Sequence, residues 1–343
     1  MTGRAQQLHW AIVTLGLAVL IGVVLFFGLT VFMQTSLRLD EAQSLFQTNR
    51  DIAGVLNLVG QDVHVPGYHV VLHYWQMMFG NDIYTARLMS LVFFVATIPM
   101  VYWLAAYAFS SRSIGLFAAL LVALSPFMQW YGSEARMYSM LAFFTVAHQL
   151  AFMKIYREGK AAHWTWYIVT AILGLYTHYF FAFVLLTEAV FYVVFSKEFA
   201  TSRAIMKFIG AAAVVLAAIV PWLWYVVQLG FASNTRPSLT EPTSVDLFNT
   251  YAQFIFGFQV DALNTVIVSL WPITVLLAFF ALQKNKRVSR EAMFFVLAAL
   301  IPVVGAFVVS ITITPFFQSR YLIVALPALL IFLSWVVSMY PRP

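Results

Sequence analysis

The chain of 343 residues contains no cysteine, and charged residues are scarce. The lack of cysteine excludes disulfide bonds, thiolate metal sites and a cysteine nucleophile. Only 9% of the residues are charged and 62% are hydrophobic, whereas soluble domains are about 45–50% apolar. The net charge of +6 comes from short basic clusters between apolar segments, which does not suit a nucleic-acid-binding surface. With a mean hydropathy of +0.87, the chain is predicted to be a polytopic membrane protein.

The sequence also lacks a glycine-rich phosphate loop, an internal repeat and a low-complexity tract. The missing phosphate loop argues against an ATP-driven pump. Near the N-terminus, one arginine precedes an apolar run at 10–33 that is longer than the core of a signal peptide, about 7–15 residues. We therefore expect this run to be a retained membrane anchor.

Apolar segments long enough to cross a bilayer recur along the chain. We expect an all-α protein of about ten transmembrane helices that form a single domain over 1–343. The expected spans are 10–33, 88–109, 114–130, 138–154, 164–178, 180–195, 207–229, 262–282, 292–313 and 321–340. The apolar segment 67–80 would be only about 21 Å long as a helix, so we expect it on the membrane surface.

The basic residues give the expected orientation. With ten spans and a cytoplasmic N-terminus, the larger share of the 19 lysines and arginines falls in cytoplasmic segments. Most acidic residues then face the extracytoplasmic side, and only Glu188 lies well inside a span. We therefore expect a multi-pass protein of the cell membrane that performs its chemistry on the extracytoplasmic, cell-envelope side.

Two adjacent carboxylates, Asp40 and Glu41, follow the first span. They can be merely a helix cap and an acidic first-turn residue. Beyond them, apolar residues at three- and four-residue spacing predict one amphipathic helix that is capped by Asp40 and ends near Gly60. Such a helix lies in the membrane interface, so 35–87 is expected to be an extracytoplasmic loop folded over the membrane surface.

A second extracytoplasmic segment carries Glu134, Arg136 and Tyr138. It follows Pro126, which is expected to end or kink the third span. Glu134 and Arg136 are either chemically active groups or a pair of side chains that reach for the membrane interface.

Two more ionisable groups belong to the same expected face. His178 lies in a break between two short apolar helices and is either structural or a ligand. Arg320 precedes the last span, where the positive-inside rule disfavours an arginine and thus favours a specific anionic partner. The polar loop 230–261 is a second large extracytoplasmic loop, but nothing in it specifies a chemistry.

These segments are distant in sequence and are expected to meet at one membrane face. Arg136 and Arg320 suit a phosphate or diphosphate, because guanidinium groups match its geometry. Asp40 can take a proton from a hydroxyl nucleophile. Other side chains can orient groups or hold a divalent cation; they are Glu41, Asp62, His64, Glu134 and His178. The implied substrate is a lipid-linked phosphate that enters from the bilayer.

Several short motifs follow one another in a characteristic order: LDEA at 39–42, DVHVPGY at 62–68, LHYW at 72–75, LSP at 124–126, YGSEARMY at 131–138, YTHY at 176–179, RY at 320–321 and LP at 326–327. Their order and spacing resemble the GT-C superfamily of membrane glycosyltransferases. The resemblance is to glycosyltransferase family 39, which is related to protein O-mannosyltransferases and lipid A aminoarabinose transferases. The match covers 35–180 well and the C-terminal part loosely.

This resemblance implies the GT-C fold and an inverting transfer of a sugar from a polyprenyl-phosphate donor. The acceptor would be a lipid, glycan or protein hydroxyl. The implied roles are base for Asp40 with Glu41 beside it, phosphate ligands for Arg136, Arg320 and Tyr138, and donor, acceptor or metal contacts for Asp62, His64, Glu134 and His178. The chain departs from the family at 64–66, where His-Val-Pro replaces His-Pro-Pro, and it stops soon after the last span, where relatives often continue.

We expect direct displacement, in which Asp40 deprotonates the acceptor hydroxyl while Arg136 stabilises the leaving phosphate. If the acceptor is itself a phosphate, no base is needed and Asp40 only positions it. The sequence specifies no cofactor: a divalent magnesium, manganese or zinc ion is left open, because no ligand spacing supports it. The alternatives are a transporter or flippase of a lipid-linked substrate, which predicts mid-membrane charges and repeat symmetry, and a non-catalytic scaffold.

Overall fold

The structure is a computed structural model, and it describes residues 3–62, 64–195, 202–229, 239–258 and 288–339. Within these residues all regular secondary structure is helical. The α-helices are α1 (Gly3–Gln34), α2 (Leu39–Thr48), α3 (Ile52–Gly60), α4 (Gly67–Phe79), α5 (Ile83–Phe109), α6 (Arg112–Leu124), α7 (Pro126–Gly132), α8 (Tyr138–Glu158), α9 (Ala161–Thr177), α10 (Phe181–Phe195), α11 (Ser202–Gln228), α12 (Ser244–Phe256), α13 (Arg290–Thr312) and α14 (Leu326–Ser338). A 3₁₀ helix, Ser319–Ala325, leads directly into α14.

The expected all-α membrane fold is confirmed. Five helical segments in the described part of the chain are long and apolar enough to cross a membrane: α1, α5, α11, α13 and the 3₁₀ helix continued by α14. The bent pair α6 and α7 supplies a sixth, and α10 is a shorter apolar helix. Helices stand at every expected span except 262–282, which lies outside the described residues.

The third expected span, 114–130, corresponds to a bent pair of helices, α6 and α7. The chain turns by 62° between α6 and α7. Pro126 has no backbone N–H to donate into a continuing helix. Ser125 instead starts a new one, because its Oγ accepts a hydrogen bond from Met128 N. The expected kink at Pro126 is therefore confirmed.

The first loop also differs from expectation, because the single helix predicted up to Gly60 is two helices. The chain breaks between α2 and α3, where Asp51 accepts a hydrogen bond from Gly54 N and caps α3. Asp40 does not cap α2 as predicted. Arg38 occupies the N-cap position, and Glu41 accepts a hydrogen bond from Arg38 N at 3.2 Å. The short surface helix expected at 67–80 is present as α4.

Helix α5 lies at the centre of the bundle, packed against α1, α6 and α8. Helix α8 contacts α9, α10 packs on α13, and α14 packs between α13 and α6. The short helices α2, α3 and α4 contact the start of α5 and the end of α9. They cover one end of the bundle, which we call the loop end, and a small apolar cluster ties α3 to the last turns of α11.

A buried carboxylate, that of Glu188, lies inside the bundle and pairs with a histidine. The carboxylate of Glu188 lies 3.1 Å from His148 Nε2, and Thr170 Oγ1 lies 2.9 Å from His148 Nδ1. Glu188 and His148 are both buried. The acidic residue expected within a span is thus a hydrogen-bonded part of the packing between α8, α9 and α10.

Helix α4 approaches α9 closely at Gly67. A Cβ atom at this position would collide with the backbone carbonyl of Tyr176, which cannot rotate away as a side chain can. A glycine is therefore needed where the loop end meets the break before His178.

We predict that Gly67→Ala lowers the stability of the purified protein by about 1–3 kcal/mol, the usual cost of overpacking. The check is the thermal unfolding midpoint in detergent. Gly22→Ala is the matched control, because a Cβ at Gly22 in α1 meets nothing within 4 Å and should be neutral or stabilising by up to about 1 kcal/mol. Equal midpoints for the two variants would contradict the close approach.

Candidate active site

The two adjacent carboxylates of α2 have different surroundings, and Glu41 is the buried one, with 1% of its surface exposed. It accepts hydrogen bonds from Arg87 Nε at 2.8 Å, Arg87 Nη2 at 2.6 Å, Ala135 N at 3.0 Å and Arg38 N at 3.2 Å. Burial opposes ionisation, but the hydrogen bonds from Arg87, Ala135 and Arg38 outweigh it and lower the pKa of Glu41. Glu41 is therefore a fixed structural anion.

Arg87 was not singled out from the sequence, yet it ties the loop end together. Besides Glu41, its guanidinium donates to the backbone carbonyls of Phe32, Thr35 and Ser36. These carbonyls lie at and just beyond the end of α1. One signal in the sequence could have identified Arg87. It lies in the first turns of an apolar helix, at the end expected to be extracytoplasmic, where the positive-inside rule disfavours an arginine.

Asp40 points away from Glu41 and is partly exposed. Its Oδ2 accepts a hydrogen bond from Arg320 Nη1 at 2.5 Å, and the side chains of Asp40 and Arg320 are both 28% exposed. The structure thus brings together two sequence-predicted residues that are 280 positions apart.

The Asp40–Arg320 pair lines a cavity of about 330 Å³, which we call the charged cavity. Arg38 and Glu134 lie in the same wall, with Arg38 Nη1 3.4 Å from Glu134 Oε2. The guanidinium of Arg38 also stacks 3.9 Å from the ring centre of Trp130. Burial raises the pKa of Glu134.

Arg136 lies beneath Asp40 and is only 2% exposed. Its Nη1 donates to the backbone carbonyl of Asp40 at 3.2 Å and to Ser44 Oγ at 3.3 Å. Its Nη2 lies 2.8 Å from His64 Nε2. Since a guanidinium can only donate, His64 Nε2 accepts, and the ring is neutral with its proton on Nδ1. Arg320, rather than Arg136, is the arginine that faces the cavity beside Asp40.

His64 and His69 form a buried pair of rings 5.9 Å apart. Burial and the charge of Arg136 hold the pKa of His64 well below its ordinary value, and burial lowers the pKa of His69 to about 3. Asp62 Oδ2 lies 4.0 Å from His64 Nε2 and accepts hydrogen bonds from two glutamine amides of α2. This group supports Arg136 from below.

His178 and Tyr138 are buried next to Tyr321, the residue that follows Arg320. The ring centre of Tyr321 lies 5.3 Å from that of His178 and 6.4 Å from that of Tyr138. His178 Nδ1 accepts a hydrogen bond from Phe180 N, and burial lowers the pKa of His178 to about 3. Both residues therefore pack behind Arg320.

The candidate ligands for a divalent cation do not gather into one site. In the part of the chain that the structure describes, no three His, Asp or Glu side chains come close enough together to hold a metal ion. Asp62 and His64 approach each other, but Glu134 and His178 have separate partners. These side chains do not fit a three-ligand protein site, and we derive no step through a metal.

A second cavity, of about 480 Å³, lies on the other side of Arg320. Helix α12 and residues 317–320 form its walls, and Tyr131 and Arg320 line both cavities. We call it the α12 cavity. Helix α12 belongs to the loop 230–261, whose chemistry the sequence left unspecified.

Residues 63–225 match the sequence family described as dolichyl-phosphate-mannose-protein mannosyltransferase. No curated protein sequence matches the chain.

Solved structures share its fold. ArnT from Cupriavidus metallidurans, bound to undecaprenyl phosphate, superposes with a TM-score of 0.67 and 15% identity over 96% of this chain and 61% of that one. The oligosaccharyltransferase AglB from Archaeoglobus fulgidus, in complex with an inhibitory peptide and a dolichol-phosphate, gives a TM-score of 0.56 and 11% identity over 97% and 50%.

The chain thus spans about half to three-fifths of the length of these two proteins. At such low identities the structural likeness shows the fold alone, while the sequence match adds the family signature over α4 to α11. The fold and the sequence match agree, and both are similar to those of the GT-C superfamily of membrane glycosyltransferases.

Proposed function

We propose that this protein is an inverting glycosyltransferase that moves a sugar from a polyprenyl-phosphate donor to an acceptor hydroxyl on the extracytoplasmic face of the membrane. The observation that carries the proposal is the partly exposed Asp40 carboxylate held against the Arg320 guanidinium in a cavity at the loop end. The two solved relatives were bound to undecaprenyl phosphate and to a dolichol-phosphate, which supports a polyprenyl-phosphate donor.

The transfer is a single displacement. The acceptor oxygen attacks the anomeric carbon and forms a new carbon–oxygen bond, while the bond between that carbon and the phosphate oxygen breaks. The hydroxyl proton passes to the Asp40 carboxylate. The electron pair of the broken bond leaves with the polyprenyl phosphate, where Arg320 and Arg38 stabilise the growing negative charge.

Arg136 and Glu41 act as positioning residues in this proposal. Arg136 holds the backbone carbonyl of Asp40 from below, and Glu41 fixes the start of α2 through Arg87. The phosphate-binding role expected for Arg136 passes to Arg320, because Arg320 faces the cavity. We do not propose a transporter, since the mid-bundle carboxylate of Glu188 is buried against His148.

Asp40→Asn should abolish sugar transfer while the binding of polyprenyl phosphate survives, because the amide keeps the size of the side chain and cannot take the proton. General-base catalysis commonly contributes about 10²–10⁴-fold, so we expect a rate loss of that order. Release of free polyprenyl phosphate from a panel of polyprenyl-phosphate sugars measures it. Asp51→Asn, at the cap of α3, is the matched control and should stay active. Full turnover by Asp40→Asn would refute the base.

Arg320→Ala should weaken the binding of polyprenyl phosphate by about tenfold or more, since a hydrogen bond to a charged group contributes about 1.5–3 kcal/mol. Arg50→Ala removes an exposed arginine of the same loop end and should leave the affinity unchanged. Titration of the purified variants with polyprenyl phosphate compares the two. Equal affinities would place the phosphate elsewhere.

Stability should fall as the pH drops from about 6.5 to 5. Folding holds the pKa values of His64, His69 and His178 below the ordinary value of 6.5, so in this range the unfolded chain binds more protons than the folded one. Each histidine that stays neutral contributes a slope of up to about 1.4 kcal/mol per pH unit. Glu134 acts in the opposite direction: its pKa is raised by folding, so the folded chain takes up at most one additional proton there as the pH falls.

The unfolding midpoint measured between pH 5 and 7.5 tests this dependence. His69→Gln should flatten the slope, because glutamine does not bind a proton in this pH range and so removes one of the three titrating groups. Gly22→Ala should leave the slope as it is. A midpoint that rises on acidification would contradict the neutral histidines.

A further inference from the structure

The α12 cavity differs in chemistry from the charged cavity beside it. The charged cavity holds two arginines and two carboxylates. Most residues that line the α12 cavity are polar, and amides and hydroxyls are the largest group among them: Thr240, Asn249, Thr250, Gln253, Gln318 and Ser319. Its volume of about 480 Å³ falls within the usual range of small-molecule sites, about 300–1,000 Å³.

Two amide oxygens in this wall have no hydrogen-bond partner within the described part of the chain. Asn249 and Gln253 are four residues apart, so they lie on the same face of α12. Asn249 Oδ1 and Gln253 Oε1 are both buried and accept no hydrogen bond from the residues that the structure describes. A buried acceptor left without a donor costs about 1–3 kcal/mol, and such a group in a native structure calls for an explanation. A ligand that carries hydroxyl donors would satisfy both.

The charges around the cavity already have partners. Asp246 caps its own helix, because its Oδ2 accepts hydrogen bonds from Thr243 N at 2.7 Å and Thr243 Oγ1 at 2.8 Å. Arg320 is bound to Asp40. Among the described lining residues no further charged side chain occurs, and Tyr131 and Phe317 add aromatic surface. The cavity therefore suits a neutral group with many hydroxyls better than a cation.

We infer that the α12 cavity binds the sugar of the donor, and that this sugar is a neutral, hydroxyl-rich monosaccharide rather than an amino sugar. The inference rests on the proposed function. Arg320 lines both cavities, so a phosphate bound to Arg320 has its attached sugar within reach of Asn249 and Gln253. A protonated amino sugar would instead bring a cation to the cavity wall, where the Asp246 carboxylate already accepts hydrogen bonds from Thr243.

The test compares three ligands on the purified full chain: bare polyprenyl phosphate, the same lipid carrying a neutral hexose, and the same lipid carrying an aminopentose. We expect the hexose donor to bind at least tenfold more tightly than the bare lipid and more tightly than the aminopentose donor. The double variant N249A/Q253A should lose this advantage, roughly tenfold for two hydrogen bonds, and keep its affinity for the bare lipid. Asn57→Ala, which removes an exposed amide of α3, should change none of the three affinities.

A second variant reverses the expected preference. Asn249→Asp places a carboxylate in the wall and should raise the affinity for the aminopentose donor relative to the hexose donor. Equal affinities of the native protein for the hexose donor and the bare lipid would overturn the sugar site and leave the polyprenyl-phosphate site standing. A loss of bare-lipid binding in N249A/Q253A would also overturn the sugar site, because the two amides would then act on the lipid phosphate or on the fold and not on the sugar. If no polyprenyl phosphate binds at all, the proposed function itself fails, and the sugar site fails with it.

Discussion

The buried pair between Glu41 and Arg87 is the interaction on which the geometry of the loop end depends. It joins the end of α1, the start of α2, the first turns of α5 and the segment before α8. Removing one partner of such a pair leaves a buried charge uncompensated and costs about 3–5 kcal/mol. Because successive side chains of an α-helix point about 100° apart, burying Glu41 turns Asp40 outward.

The same constraint explains why the sequence could not separate the two carboxylates. Asp40 and Glu41 are neighbours of similar chemistry, and both were expected near the reaction. Their roles differ because of partners far along the chain: Arg87 is 46 residues from Glu41, and Arg320 is 280 residues from Asp40. Periodicity and capping signals act over a few residues, so they carry no information about either pairing.

Features that depend on local chemistry were predicted well. The apolar spans, the short α4 and the kink at Pro126 follow from length, hydropathy and the missing N–H of proline. The first loop was predicted less well. Its apolar stripe predicted one helix, but the chain forms two, because Asp51 caps a new helix, α3. The convergence of Asp40 and Arg320 was expected, but the burial of Arg136 under Asp40 was not, because it depends on how α2 packs on His64. The expected site residues remain proposals in their chemical roles.

Besides Arg38 and Glu134, the described loop end contains two carboxylate–arginine pairs with opposite energetics. Glu41 and Arg87 are buried and saturated with hydrogen bonds, so no ligand can exchange with either partner at acceptable cost. Asp40 and Arg320 are each 28% exposed, and a pair at the surface contributes only about 0–1 kcal/mol. A phosphate that offers several acceptor oxygens can take Arg320 at little cost and release the Asp40 carboxylate as it binds. In the proposed reaction, the buried pair of Glu41 and Arg87 would set the position of Asp40, and Arg320 would hold the Asp40 carboxylate until the phosphate binds.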